Sequence, residues 1–537
     1  MREPRPDDLA VGAAAWTRSE RLLLAVVTLL GTALRLWLQH DRAFSGDEIG
    51  TLLYLRESVG FLLTHFIDPW LSMNFYLAFL KIWSDLFGTN RWVLMLPSLV
   101  AGVALIPAVA LLGRRLASHR VALLAAAVCA FNPTLVSYSG VIRAYALALL
   151  TGTLTVIALV DQLRHGSRLN AALFGLLALV TFLLHLATLH FLFGCAAAAL
   201  VWVAMEQGEL KAVLPDRRIW GLGVAGLTAC TLTLLLHLPV LEQIHQVSAR
   251  YVAAPPTPVN YLPDMVSEFI GTRWAGLAGV LALLAAMVVI LRRGGALMIL
   301  LPIVAIPMLT TSLLGQSNLP WAATRYQLLS LPLVCVLLAF GALSLLRFRG
   351  APMVVAIAAM LAWIPGLGHQ AASHRLSDLG GLAHYPHAED TLVPLQWETG
   401  HTLRAFLPIE RLRGFDQYLR EPLHVADNGR LVVLSNVLVD AHGFETTRFG
   451  HWQAVAIDGK TRWKKLARLY HWLMRITAGR HDANLSDAYA LLLKLQPVVK
   501  PDEDSGRLTM LRCESLKRNL RERYAPPQWL GIPREEW

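Results

Sequence analysis

Two adjacent carboxylates, Asp47 and Glu48, follow the first long apolar run of the chain, Leu22 to Leu38, within the stretch Phe44-Ser45-Gly46-Asp47-Glu48. Acids just outside a membrane helix must face water or a partner, which makes them functional candidates by default. A carboxylate there can take or orient the proton of an attacking hydroxyl. The complementary chemistry lies in arginines. Arg143 is followed by Tyr145 and Arg325 by Tyr326, and a guanidinium fork matches phosphate bidentately. Arg35, Asp68 and Asn74 complete the polar set. Such groups around one outward cavity beside lipid suit an amphiphilic substrate with a phosphate head.

Each residue also has a plainer reading. The Asp47-Glu48 pair could cap a short helix. Arg143 and Arg325 could snorkel at the membrane surface. Arg35, near the outer end of the first helix, reads as half of a structural ion pair with a carboxylate of the same cavity. Asp68, before Pro69, could be a turn residue. His185 and His190 flank a short external turn but have no third ligand, so they read as hydrogen-bonded rather than metal-binding. His237 reads as a buried polar contact. No metal or cofactor is identified.

The elements that must position these residues follow from composition. The chain has 537 residues, 55% hydrophobic and 16% charged, with a mean hydropathy of +0.48. That much apolar surface excludes an ordinary soluble domain. The net charge of +11 resides largely in short loops between apolar runs, which argues against nucleic acid as a partner. Four of the five cysteines lie in apolar runs, so no disulfide framework is indicated. Runs long enough to cross ~30 Å of hydrocarbon occur at 21–38, 92–112, 121–139, 144–163, 169–187, 188–205, 219–241, 274–291, 295–314, 327–346 and 351–368. The first reads as a retained signal anchor. The run 71–87 reads as a helix lying along the interface. The Pro-rich piece 254–258 reads as a stiff loop feeding a short helix near 261–270.

Alternate short loops carry twelve and four Lys/Arg residues. The positive-inside rule puts the richer set, and with it the N-terminus, in the cytoplasm. The expected fold is an all-α polytopic membrane protein of about eleven transmembrane helices, with interfacial helices in the first external loop and a small C-terminal extracytoplasmic α/β domain. The expected boundaries are a cytoplasmic tail at 1–20, a membrane domain at 21–368 and a periplasmic domain at 369–537. In that last domain Leu431 to Leu434 reads as a buried strand, and 463–476 and 488–495 read as amphipathic helices.

The order of motifs resembles a family. An Arg-bearing first helix precedes Phe44-Ser45-Gly46-Asp47-Glu48. An aromatic segment from Asn74-Phe75-Tyr76 to Leu86-Phe87-Gly88 comes next, then Leu96-Pro97-Ser98 and the Gly113-Arg114-Arg115-Leu116 turn. Asn132-Pro133, Tyr138-Ser139, Arg143-Ala144-Tyr145 and a late Arg325-Tyr326 complete the series. Over roughly residues 20–350 this resembles the C-type, multi-span glycosyltransferases, in particular the bacterial branch related to protein O-mannosyltransferases and the aminoarabinose lipid A transferase. The resemblance implies a polyprenyl-phosphate-linked sugar as donor, transfer on the outer face of a bacterial inner membrane, and inversion at the anomeric carbon. It gives Asp47 the role of base or acceptor-orienting group. The acceptor would be an envelope glycan, lipid or protein. The chain departs from the pattern where relatives commonly carry Gln-Glu (here Gly140-Val141), Arg (Met95) and Pro-Pro (Asp68-Pro69-Trp70). A non-enzymatic envelope assembly or scaffold protein on a degenerate transferase fold is the alternative, followed by a lipid or glycan transporter.

Overall fold

The computed structural model describes residues 15–40, 42, 48, 51–52, 54–55, 57–65, 74–185, 188–208, 215–240, 262–270, 273–313, 325–346, 350–373, 391–394, 430–435, 445–449 and 452–458. Asp47, Asp68, the Pro-rich piece at 254–258 and the expected tail helices at 463–476 and 488–495 lie outside these residues. The chain divides into two compact units, one formed by 1–40 and 51–372, the other by 41–50 and 373–537.

The first unit is helical. Its helices are α1 Arg18–His40, α2 Val59–Thr64, α3 Asn74–Phe87, α4 Arg91–Leu116, α5 His119–Phe131, α6 Pro133–Tyr138, α7 Tyr145–His165, α8 Arg168–Leu184, α9 Thr188–Gln207, α10 Arg217–His237, α11 Leu262–Phe269, α12 Arg273–Arg293, α13 Leu300–Leu313, α14 Leu331–Leu345 and α15 Ala351–Ser373. Short polar residues start many of them. The side chains of Asn90, Ser118, Asn132, Ser167 and Asp216 accept hydrogen bonds from backbone N–H groups of the first turn, which satisfies donors the helix itself leaves open.

Seven of these helices (α1, α4, α7, α9, α10, α12 and α14) are long and apolar enough to cross a membrane. Four shorter apolar stretches, His119–Phe131, Arg168–Leu184, Ala296–Thr310 and Met353–Gly368, stand beside them. The expected runs overlap these helices, the run at 121–139 being broken between α5 and α6, and the protein is an integral membrane protein. The expected run at 71–87 is helix α3, with Tyr76, Leu77 and Leu80 fully buried and Ile82 and Leu86 exposed.

The core lies around α4, α5, α7 and α14. The first packs on both α5 and α7, α14 on α5 and α12, α7 on α8, and α8 on α10. Small residues permit the close crossings: a Cβ at Gly341 of α14 would lie 1.8 Å from the Ala282 carbonyl oxygen of α12, so no other residue fits there without moving a helix. Tethers between helices are mostly hydrogen bonds from side chains to stranded carbonyls. Arg91 donates to the Gln39 and His40 carbonyls at the end of α1 (2.7 and 3.2 Å), Trp83 to Val93 (2.9 Å), and Trp363 of α15 to Ile270 (2.7 Å).

The second unit contains a four-stranded sheet of order β1-β2-β4-β3. Its strands are β1 Thr391–Pro394, β2 Arg430–Ser435, β3 Glu445–Phe449 and β4 Trp452–Asp458. The first two pair in parallel, and the other pairs are antiparallel. The expected strand at 431–434 is β2, whose Val432 lies opposite Ala456 of β4, and both are buried.

Candidate active site

The site grows from a break between α5 and α6. Pro133 has no N–H, so the Cys129 carbonyl at the end of α5 loses its ordinary helical donor. Arg35 of α1 fills the gap. Its guanidinium donates to the carbonyls of Cys129 (3.3 Å), Ala130 (2.8 Å) and Gly31 (3.0 Å), and its Nε to the Ser139 hydroxyl (3.0 Å). The side chain is wholly buried. This corrects the expectation for Arg35: it meets neutral acceptors at the negative end of a helix rather than a carboxylate, and its donors are spent on protein rather than turned toward a substrate phosphate.

Ser139 passes the hydrogen-bond chain to the Leu135 carbonyl (2.5 Å), which fixes the start of the loop 139–144. The next residue is Gly140, where a Cβ would lie 1.9 Å from the Gln39 side chain. The loop continues to Arg143, whose carbonyl accepts from the Ser98 hydroxyl (3.1 Å). The Leu96-Pro97-Ser98 and Arg143-Ala144-Tyr145 motifs thus meet through one hydrogen bond. Arg143 is only 4% exposed, so its environment is not that of a snorkelling surface arginine.

The loop delivers Tyr145, the first residue of α7, to an aromatic and cationic cluster. Its ring meets Tyr138 edge-on at 4.9 Å and His185 at 5.8 Å. Arg325 stands close enough to press electrostatically on His185 and on Tyr326, and Tyr326 in turn neighbours Tyr145. Gln327 anchors the arriving segment by donating to the Pro307 carbonyl (2.9 Å). Burial, followed by the nearby Tyr145, raises the Tyr326 phenol above its usual range, so it keeps its proton and can donate a hydrogen bond. Burial, and then the Arg325 guanidinium, push the His185 imidazole down to about 4. The cluster is thus one permanent cation, three tyrosines and a neutral imidazole.

A pH dependence follows from His185. Its folded-state pKa lies below the ordinary 6.5, so between those values the unfolded chain binds the extra proton and stability falls as pH drops. The melting temperature of the detergent-purified protein is expected to fall from pH 6.5 to pH 4.5 more steeply than that of His185→Gln. Equal slopes would refute the assignment.

The remaining expected residues are held elsewhere. Glu48, fully buried, belongs to the second unit. Both its carboxylate oxygens accept from the Arg42 guanidinium, at 2.6 and 2.7 Å. That fork ties Glu48 to Arg42, six residues before it; a catalytic role for Glu48 remains a proposal. Asn74 begins α3 and donates to the His65 carbonyl (3.0 Å), so it ties the first external segment together; its expected place at the donor phosphate finds no support in that contact. Asp47 and Asp68 lie outside the described residues. His190 is buried on α9 with no hydrogen-bond partner at its Nδ1, which departs from its hydrogen-bonded reading, whereas His237 donates from Nδ1 to the Thr233 carbonyl (2.8 Å), the expected buried polar contact. Among the described residues no three His, Cys, Asp or Glu side chains gather as a metal site would require.

Sequence reasoning passed over Arg42 and Gln327, placed Tyr138 only within a motif, and read His185 as a hydrogen-bonded histidine. His185 carried a signal, a titratable group at an outer turn, but nothing in one dimension links it to Arg325.

No family model matches the sequence, and no curated protein matches it. Among solved structures the chain is similar to ArnT from Cupriavidus metallidurans in the apo state, with a TM-score of 0.51 at 14% identity over 81% of this chain and 97% of that one. It is equally similar to the same protein bound to undecaprenyl phosphate, with a TM-score of 0.50 at 14% identity over 82% and 98%. The Archaeoglobus fulgidus oligosaccharyltransferase in complex with Zn and sulfate gives a TM-score of 0.46 at 15% identity over 77% and 67%. At such identities the likeness to ArnT is one of fold alone.

Proposed function

We propose that the protein is a membrane glycosyltransferase that moves a sugar from a polyprenyl-phosphate donor to an acceptor at the outer face of the bacterial inner membrane, with inversion. The observation that carries this reading is the gathering of Arg325, Tyr326, Tyr145 and His185 from three separate stretches of chain. It stands within a fold of which one solved example is bound to undecaprenyl phosphate. In this reading all eleven apolar stretches cross the bilayer, the arginine-rich loops are cytoplasmic and the domain after residue 369 is periplasmic.

The chemistry follows from the residue types. Arg325 pairs with the donor phosphate and Tyr326 adds a neutral hydrogen-bond donor. An acceptor oxygen attacks the anomeric carbon and gives its proton to Asp47, and the bond from that carbon to the phosphate oxygen breaks. Negative charge gathers on the leaving polyprenyl phosphate, where a preformed cation stabilises it most. The neutral His185 neither repels Arg325 nor competes with it for the phosphate. The ion pair of Arg42 with Glu48 brackets Asp47 in the sequence.

The test is release of polyprenyl phosphate from a radiolabelled lipid-linked sugar by the purified protein, with and without candidate envelope acceptors. Arg325→Ala is expected to weaken donor binding by about 2 kcal/mol, roughly thirtyfold. Unchanged donor affinity in that variant would remove Arg325 from the phosphate site. No release from any donor by the wild-type protein would favour the scaffold alternative.

A further inference from the structure

Helices α8 and α10 pack against each other and begin at the same end, with Arg168 and Arg217 as their first residues. Between them lies a cavity of about 850 Å³, within the range of small-molecule sites. Its mouth is polar, with Gln162, Arg168 and Arg217, and its length is apolar, with Leu176, Leu179 and Val224 among its walls.

Three features make this more than a packing seam. First, the neighbouring arginines are engaged: Arg115 pairs with Asp161, and Arg218 with Asp216 and Glu206. Arg168 and Arg217 are exposed and make no ion pair or side-chain hydrogen bond among the described residues. Second, small residues on both helices, Ala171 and Gly175 of α8 and Gly221 and Ala225 of α10, line the space and keep it open between them. Third, the groove opens sideways: Leu176 and Val224 are 57% and 62% exposed. From Arg217 to Leu232 it runs about 22 Å along α10 at ~1.5 Å per residue, enough to follow an acyl chain through one leaflet of ~15 Å.

We propose that this groove binds an anionic glycerophospholipid, separately from the sugar-transfer site. The phosphate lies between Arg168 and Arg217, and one acyl chain follows the seam past Leu176 and Val224. Charge complementarity selects the phosphate, and the apolar length selects a lipid over a soluble anion. The leaflet is the one on the arginine-rich side, cytoplasmic by the positive-inside reading. The proposal does not depend on the transferase reading.

Native mass spectrometry of the full-length protein in detergent tests it, with phosphatidylglycerol, phosphatidylcholine of matched chains, and glycerol 3-phosphate as probes. The wild-type protein is expected to retain phosphatidylglycerol in preference to phosphatidylcholine. The double variant Arg168→Gln/Arg217→Gln should weaken that binding roughly tenfold or more. Val224→Trp should also weaken it, with both arginines intact, by filling the groove. All three positions are exposed, so the fold should survive, and a monodisperse elution profile verifies this. Equal retention of both lipids, or no change in either variant, would overturn the proposal. Glycerol 3-phosphate binding as tightly as the lipid would overturn it too, by reducing the site to an anion contact.

Discussion

Asp47→Asn is expected to lower sugar transfer by about a thousandfold while leaving the purified protein folded. The amide keeps the shape of the carboxylate but cannot accept a proton, and the loss of a positioned base costs roughly 10²–10⁴ in rate. The adjacent acid cannot take over, because both oxygens of Glu48 are committed to Arg42. Turnover of a polyprenyl-phosphate sugar should therefore collapse in Asp47→Asn with an unchanged melting temperature. Full activity in that variant would sink the assignment of Asp47, whatever became of Arg325.

The second large effect is on stability. Arg35→Met removes only the donor side of a buried network, leaving the Cys129 and Ala130 carbonyls without the partner that now serves them. Each stranded buried acceptor costs about 1–3 kcal/mol, so the total is about 2–6 kcal/mol. The flexible thioether can fill the space but donates nothing. Arg35→Lys keeps the charge on a single nitrogen and loses the fork geometry, so its melting point should fall between those of the wild type and Arg35→Met. Thermal unfolding in detergent measures the series. A wild-type melting point for Arg35→Met would show that the network contributes no net stability.

Arg35 also illustrates where sequence reading stops. An arginine inside an apolar run announces a buried polar contact, and that much was legible. Its partner was not: the partner depends on Pro133 emptying a hydrogen-bond position almost a hundred residues later, and on α1 packing against α5. Glu48 is similar at shorter range. Its acidity and position were plain, but the fork to Arg42 exists only once the intervening loop is folded. Asn74 read as a donor-phosphate group and became a loop tether, because an amide serves either purpose and only its neighbours decide.

The sequence by itself determined the helices, because a membrane requires long apolar runs with internally satisfied backbones, and that requirement is written in one dimension. It also determined the kinds of chemistry at hand, a carboxylate after the first run and arginines followed by tyrosines. The tertiary structure decided which of those groups meet. Tyr145, His185, Arg325 and Tyr326 gather only when three stretches of chain converge, and no local spacing encodes a distance across a bundle. It also decided which arginines are spent: Arg35 on helix-end carbonyls, Arg42 on Glu48. An arginine's role is set by the acceptors that surround it, and those are fixed by packing.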